Sequence, residues 1–108
     1  MIFEIQADLI AMFANPKRLM IMHCLGDGEK SVGEIAEAID SPIQNVSQHL
    51  RVMKDRGVVT SRKVGQTVYY RVTNPKFSQC CKLARTAIVE ELAKRGSLVE
   101  SASESTEE

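Results

Sequence analysis

Apolar positions in the first quarter of the chain recur at helical spacing. Between Ile2 and Phe13 they fall every three or four residues, which predicts a first helix. Asn15 followed by Pro16 is typical of an N-cap and a first helical residue, and the second helix is predicted to run to about Leu25. Because this second helix is apolar nearly all round, we expect it to be the central buried helix.

Two further helices are predicted from capping patterns. Ser31 and Glu34 have the spacing of a capping box and begin a third helix. Ser41 and Gln44 repeat that spacing a few residues later, so a fourth helix begins at a sharp corner and ends near Gly57. The apolar positions of the fourth helix that we expect to point inward are Ile43, Val46, Leu50 and Met53.

The apolar period then changes from 3.6 to 2. Residues 58–64 and 67–72 are predicted strands joined through Gly65 and Gln66, with Val68, Tyr70 and Val72 facing the core. A last helix is predicted from Asn74-Pro75 to about residue 95. The element order α-α-α-α-β-β-α predicts a mainly helical α+β fold, the winged helix-turn-helix, whose hairpin is the wing.

Composition adds bounds to this picture. The 108 residues suit one domain, residues 1–96, and a core this small makes dimerisation an early expectation. Residues 97–108 are rich in Ser and Glu, lack aromatic residues, and are expected to form a disordered acidic tail. We expect a cytoplasmic protein without membrane association, because no apolar run is long enough to cross a bilayer and no secretion signal opens the chain. Three cysteines, an odd number, also fit a reducing compartment.

Charge is distributed unevenly along the chain. The formal net charge is zero, yet residues 41–72 contain six Lys and Arg side chains against one acid, Asp55, a local net charge of +5. Nucleic-acid binding depends on the local field, so this segment is a candidate partner for a polyanion.

The polar face of the fourth helix suggests what that partner is. At 100° per residue, Gln44, Gln48 and Arg51 share one face, flanked by Asn45 and Ser47 and opposite the apolar stripe. Amides pair bidentately with adenine edges and guanidinium with guanine, so this surface is suited to reading bases in the major groove. A merely solvated face would more usually carry Glu and Lys pairs.

Cations on the predicted hairpin extend this surface. Arg62, Lys63 and Arg71 suit contacts to flanking phosphates or the minor groove, which supply affinity and register. The alternative is an ordinary charged edge strand that resists aggregation.

Several of these segments together resemble the ArsR/SmtB family of metal- and thiol-responsive repressors. The segments are NPKRL at 15–19, SVGEI at 31–35, VSQHL at 46–50, GVV at 57–59 and VYYR at 68–71, and the resemblance spans about residues 14–92. It implies a homodimer built mostly from the first and last helices, which places two recognition helices on an inverted-repeat operator of double-stranded DNA. It also implies an effector that binds elsewhere and lowers operator affinity.

Two sensing sites of that family are missing or degraded here. Members that bind arsenite, lead or cadmium often carry Cys-x-Cys at the start of helix three, where this chain has Ser31 and Gly33. Members that bind zinc or nickel use acids and histidines of the last helix. The corresponding positions here are Asn74, Lys76, Ala87 and Glu90.

The remaining candidates for sensing are Cys80 and Cys81 on the last helix and Cys24 on the second. The thiolates could bind a soft metal or metalloid such as arsenite, with two thiolates and a third forming a trigonal site. Alternatively, the thiols could be oxidised or persulfidated. Equally, all three cysteines could be small buried apolar residues. The protein would then have no cofactor and would regulate without an effector. Of the histidines, we expect His23 to be packed in the core and His49 to be structural or to contact a phosphate.

Other functional classes receive less support. The chain has no glycine-rich phosphate loop, no paired inward carboxylates and no nucleophile with histidine and acid, so an enzyme is not predicted. A winged helix used for protein contacts is the alternative to DNA binding, but it would require an apolar patch where the fourth helix is polar.

Overall fold

Helices and strands begin and end close to the residues that the sequence marks with caps and glycines. A computed structural model describes residues 1–96, and the predicted acidic tail lies outside the described residues. The elements are α1 (Ile2–Phe13), α2 (Pro16–Leu25), β1 (Lys30–Ser31), α3 (Val32–Ala38), α4 (Ile43–Asp55), β2 (Val59–Val64), β3 (Thr67–Val72) and α5 (Pro75–Lys94). The predicted winged helix-turn-helix order is confirmed, with one short strand added.

Three of the predicted N-caps are formed. The Asn15 side chain accepts hydrogen bonds from the backbone N–H groups of residues 17 and 18 at 2.9 and 3.2 Å, and the Asn74 side chain caps α5 by accepting from the N–H of residue 76 at 2.9 Å. At α3 the Ser31 hydroxyl accepts from the Glu34 N–H at 3.1 Å, while the Glu34 carboxylate accepts from the Ser31 N–H at 2.8 Å. These bonds satisfy donors that a helix leaves free in its first turn.

The predicted cap of α4 by Ser41 is wrong. The N-cap residue is Pro42, and no side chain of residues 1–96 caps this helix. The corner is closed by backbone bonds instead: the Asp40 N–H donates to the Glu37 carbonyl at 3.2 Å and the Ser41 N–H to the Ala36 carbonyl at 3.0 Å. This is a Schellman arrangement in which Asp40, at φ +52°, occupies the left-handed position that glycine usually takes.

The sheet has three antiparallel strands in the order β1-β3-β2, where only a hairpin was predicted. In β1, Lys30 pairs with Tyr70 and Ser31 with Tyr69, and a strand of two residues is too short to show a period. The hairpin register runs from Val59 opposite Val72 to its tip, where Gly65 adopts φ +62°. The strand β1 therefore joins the turn after α2 to the wing.

The core lies between α2, α3, α4 and the base of the sheet. Its fully buried larger side chains are Ile21, Met22, Leu25, Ile35, Val46, Leu50, Met53, Val58 and Val59. Of the inward predictions for β3, Val72 is buried and Tyr70 packs against the core half-buried, as expected, whereas Val68 is half-buried near the tip.

Three apolar residues expected inside lie outside. Leu19 and Met20 on α2 are 40% and 41% exposed, so α2 is buried on one face only. Ile43 at the start of α4 is 50% exposed because the helix begins beyond the edge of the core. Each of these side chains remains available to another surface.

Candidate nucleic-acid interface

Helix α4 has one face fixed in the core and the opposite face free. Val46, Leu50 and Met53 have no exposed surface, which sets the rotation of the helix about its axis. As a result Gln44, Gln48 and the other predicted base-reading side chains are all exposed. The predicted set on this face is Gln44, Asn45, Ser47, Gln48 and Arg51.

The side chains of that set form no hydrogen bond to any other group in residues 1–96. Arg51 in particular has neither a carboxylate nor an aromatic ring as partner within this part of the chain. Donors and acceptors presented to water in this way can exchange that water for base edges. The structure therefore brings the predicted set together on one surface, and its contact with bases stays a prediction.

The corner between α3 and α4 and the end of α4 are both fixed by backbone bonds. After α4, the Gly57 N–H donates to the Lys54 carbonyl at 2.9 Å and the Val58 N–H to the Met53 carbonyl at 2.9 Å. Gly57 has φ +79°, so the predicted left-handed glycine is confirmed. Strand β2 begins two residues later.

Lys54 links the recognition helix to the wing, a role that the sequence analysis missed. Its Nζ donates to the Ser61 hydroxyl at 2.8 Å. Residues directly opposite in the hairpin share a face, so Ser61 and Tyr70 lie on the core side together with Lys63. Of the three predicted wing cations, Lys63 is thus the one on the same side of the hairpin as α4.

Arg62 and Arg71 lie on the other face of the sheet. There the Arg62 guanidinium forms a bidentate ion pair with Glu29, with N–O distances of 2.7 and 2.8 Å, and lies 5.3 Å from the centre of the Tyr69 ring. Hydrogen bonding from Arg62 lowers the pKa of Glu29, and the same contact raises the pKa of Arg62. A DNA contact by Arg62 stays a prediction, but the contact would compete with Glu29, whose proximity no sequence signal indicates.

His49 is held by the chain and does not face solvent freely. The Arg18 Nε donates to its Nδ1 at 3.2 Å, and Arg18 also donates to the Met12 carbonyl at 3.3 Å. Burial, followed by the charges of Arg18 and Lys17, lowers the pKa of His49. Through Arg18, these contacts join α4 to α2 and α1, as expected for a structural role, and a phosphate contact by His49 stays a prediction.

The three thiols occupy different environments. Cys80 is exposed, whereas Cys24 and Cys81 are half-buried on α2 and α5 and contact the core. Burial raises the pKa of both half-buried thiols; the Cys80 thiol adds to the effect at Cys81. His23, expected in the core, is instead exposed, because α2 turns that position away from the buried face.

Within residues 1–96 no group of three or more Cys, His, Asp or Glu side chains is arranged to hold a metal ion. The three thiols therefore do not form a trigonal site inside one chain, because they lie on different helices and faces. In the same residues no helix is long and apolar enough to cross a membrane.

The corner, the recognition helix and the hairpin define a winged helix-turn-helix protein. A family model described as a helix-turn-helix domain matches residues 13–62. The regulator KmtR of Mycobacterium tuberculosis is 35% identical over 67% of this chain, which spans 55% of that protein. A homodimeric winged helix-turn-helix DNA-binding domain from Mycobacterium bovis, a possible ArsR-family regulator, is 28% identical with a TM-score of 0.76, covering 84% of each chain. The repressor BigR of Xylella fastidiosa is 33% identical with a TM-score of 0.70, covering 75% of this chain and 83% of that one.

These likenesses show the family. The chain belongs to the ArsR/SmtB family of winged helix-turn-helix transcriptional repressors. It is a DNA-binding transcriptional regulator, as the sequence predicted.

Proposed function

We propose that the chain binds an inverted-repeat operator as a homodimer and releases it when a thiol-reactive effector modifies or ligates its cysteines. The observation that carries the DNA part is the polar face of α4, which is exposed, has no hydrogen-bond partner within residues 1–96, and lies opposite a fully buried stripe. Each α4 reads base edges of one half-site, with Arg51 and Gln48 as the principal readers. Lys63 contacts the adjoining phosphates.

The exposed apolar faces of the first and last helices support the homodimer. On α1, Ile2, Phe3 and Ile5 are 65%, 79% and 56% exposed. On α5, Leu83, Ile88 and Val89 are similarly open. Contiguous exposed apolar surface in a soluble protein marks an interface, and a two-fold axis pairs like surfaces of two copies. Such a dimer places two α4 helices about 34 Å apart, one turn of DNA.

The thiols on the packed helices α2 and α5 support the effector part. Cys24 and Cys81 both lie against the core, so a bulky adduct or an oxidised sulfur there requires the helices to move apart. Because burial raises the pKa of both thiols, they are mostly protonated at neutral pH and react slowly, whereas Cys80 is accessible. A metal site would have to include a thiol from the second copy.

The DNA part is tested by selecting a duplex from a random pool and titrating it by fluorescence anisotropy over a range of salt concentrations. We expect affinity to fall linearly with salt on a logarithmic plot, as phosphate neutralisation requires. Sedimentation of the complex should give two chains per duplex. Absence of duplex binding at low ionic strength would contradict the proposal.

The effector part is tested on the DNA-bound protein with As(III), Cd(II), a sulfide donor and peroxide. We expect at least one of them to release DNA from the wild-type chain and not from the C80S/C81S variant. Cys24→Ser, compared in parallel, shows whether α2 takes part. An unchanged response of the double variant would remove Cys80 and Cys81 as sensors without affecting the DNA proposal.

A further inference from the structure

A cavity of about 590 Å³ opens between α2, the start of β1, the end of α3 and α5. One wall is apolar and consists of Leu19, Met20 and Ile39; Leu19 and Met20 are the α2 side chains left outside the core. Cys24 forms part of the floor. The volume is within the range of small-molecule sites, about 300 to 1,000 Å³.

The charged residues lining this cavity are all cationic. Lys30 and Arg85 line it, and among residues 1–96 no carboxylate does. Neither cation takes part in a salt bridge within residues 1–96. The nearby Glu34 carboxylate is already held by the Ser31 N–H in the capping box at α3.

A second cavity of about 450 Å³ adjoins the first and shares Arg85 and His23 with it. It is lined by Lys82 and by one acid, Asp27. Ser78, also on its wall, has a hydroxyl oxygen that is buried and has no hydrogen-bond partner in the described residues. A buried polar atom without a partner is uncommon and suggests that something else supplies one. Arg85 thus lies between an apolar pocket and an unsatisfied hydroxyl.

We propose that this groove binds an amphipathic organic anion, a carboxylate on an apolar body. The carboxylate pairs with the Arg85 guanidinium and the Lys30 ammonium, the two cations that line the first cavity. The apolar body lies on Leu19 and Met20. Such a ligand covers Cys24 and bridges α2 to α5. The binding stands on its own, whereas any effect on operator affinity rests on the proposed function.

The experiment titrates the full chain, without DNA, with octanoate and with octanol as its uncharged match. Calorimetry gives the affinities, and amide chemical shifts locate the site. We expect octanoate to bind about tenfold more tightly than octanol, since a charge-assisted hydrogen bond is worth that much. The shifts should concentrate at residues 19–30 and 78–85.

Two variants and a matched control sharpen the test. R85Q should weaken octanoate about tenfold and leave octanol unchanged, while R85K should keep most of the affinity. M20E, at an exposed position that folding does not need, should abolish octanoate binding through repulsion. K76Q removes a cation from the exposed first turn of α5, outside both cavities, and should change nothing.

Three outcomes would overturn the proposal. One is equal binding of octanoate and octanol, or of octanoate to wild type and R85Q. Another is chemical shifts that lie on α1 and the outer face of α5. The third is a groove that is covered in the free dimer and becomes accessible to octanoate only as the dimer dissociates. That result would make a second copy of the chain the occupant of the groove. None of these results depends on DNA, so each is distinct from a failure of the proposed repressor function.

Discussion

The two longest helices, α4 and α5, are packed in opposite ways. Three side chains of α4 are completely buried within its own chain, whereas α5, with 20 residues, has no buried residue. Phe77, whose ring lies 6.5 Å from that of Phe13, and Cys81 are its main anchors on the core. The difference teaches that one chain fully packs α4 but leaves apolar surface on α5 that the proposed homodimer would cover.

The largest effect is expected from breaking the packing of α4. Leu50→Ala should lower the free energy of unfolding by about 2 to 5 kcal/mol, because it leaves a cavity in a fully buried site. Leu83→Ala, at a side chain 70% exposed, should leave the stability of the isolated chain nearly unchanged. Denaturant unfolding at low protein concentration measures both. Equal losses would show that α5 is also held by its own chain.

The next effect concerns the partner of α5. Ile88→Glu should weaken dimerisation by about 3 kcal/mol, because a charge would be buried without a counterion in an apolar contact. Sedimentation equilibrium measures it, and Thr86→Glu serves as a charge-matched control. A variant that dimerises as tightly as wild type would place the interface elsewhere.

A smaller effect separates base reading from phosphate contact. Arg51→Ala should weaken binding to the selected duplex by about 1 to 3 kcal/mol and reduce discrimination against random DNA. Lys63→Ala should weaken binding to both duplexes alike and lower the salt slope by about one. Anisotropy titrations at several salt concentrations distinguish the two. Undiminished discrimination by the Arg51 variant would contradict its assignment as a reader.

The corner before α4 allows a stabilising change. Asp40→Gly should raise the free energy of unfolding by less than about 1 kcal/mol, because glycine adopts a positive φ without steric cost. Thermal unfolding measures the shift, with Gln48→Gly, at an exposed position in the middle of α4, as a control that should destabilise by about 1 kcal/mol. A loss of stability at residue 40 would show that the Asp40 side chain contributes more than its backbone conformation costs.

The smallest effect is a pH dependence at His49. Its pKa is lowered in the folded chain, so the unfolded chain binds the proton more tightly. Stability is therefore fully present above the ordinary histidine value near 6.5 and declines as the pH falls through and below it. Unfolding curves between pH 5 and 7.5 should show this decline in wild type and not in His49→Gln. A flat wild-type profile would show that the folded chain does not favour the neutral imidazole that accepts the hydrogen bond from Arg18.

Local signals predicted most of the fold, and tertiary context accounts for the errors. Caps at Asn15, Ser31 and Asn74 were predicted because a side chain and a nearby N–H decide them. The Ser41 cap failed because backbone bonds from the preceding helix had already closed the corner. Strand β1 was missed because two residues become a strand only when β3 lies beside them.

The candidate site shows the same division. Helical spacing alone collected Gln44, Gln48 and Arg51 on one face. It could not indicate that Glu29, distant in sequence, holds Arg62, or that Lys54 reaches the wing. The strand period places the neighbours Arg62 and Lys63 on opposite faces, but only the observed register, with Val59 opposite Val72, shows that Lys63 is the one on the core side.

The hydrogen bond from Lys54 to Ser61, together with the short glycine-capped turn after α4, has a mechanical consequence. The recognition helix and the hairpin are connected at two points, so we expect them to move together. A signal arriving at α2 or α5 would leave the shape of each DNA-reading head intact. In a dimer it would act by altering the separation and tilt of the two heads, so that they no longer match successive grooves.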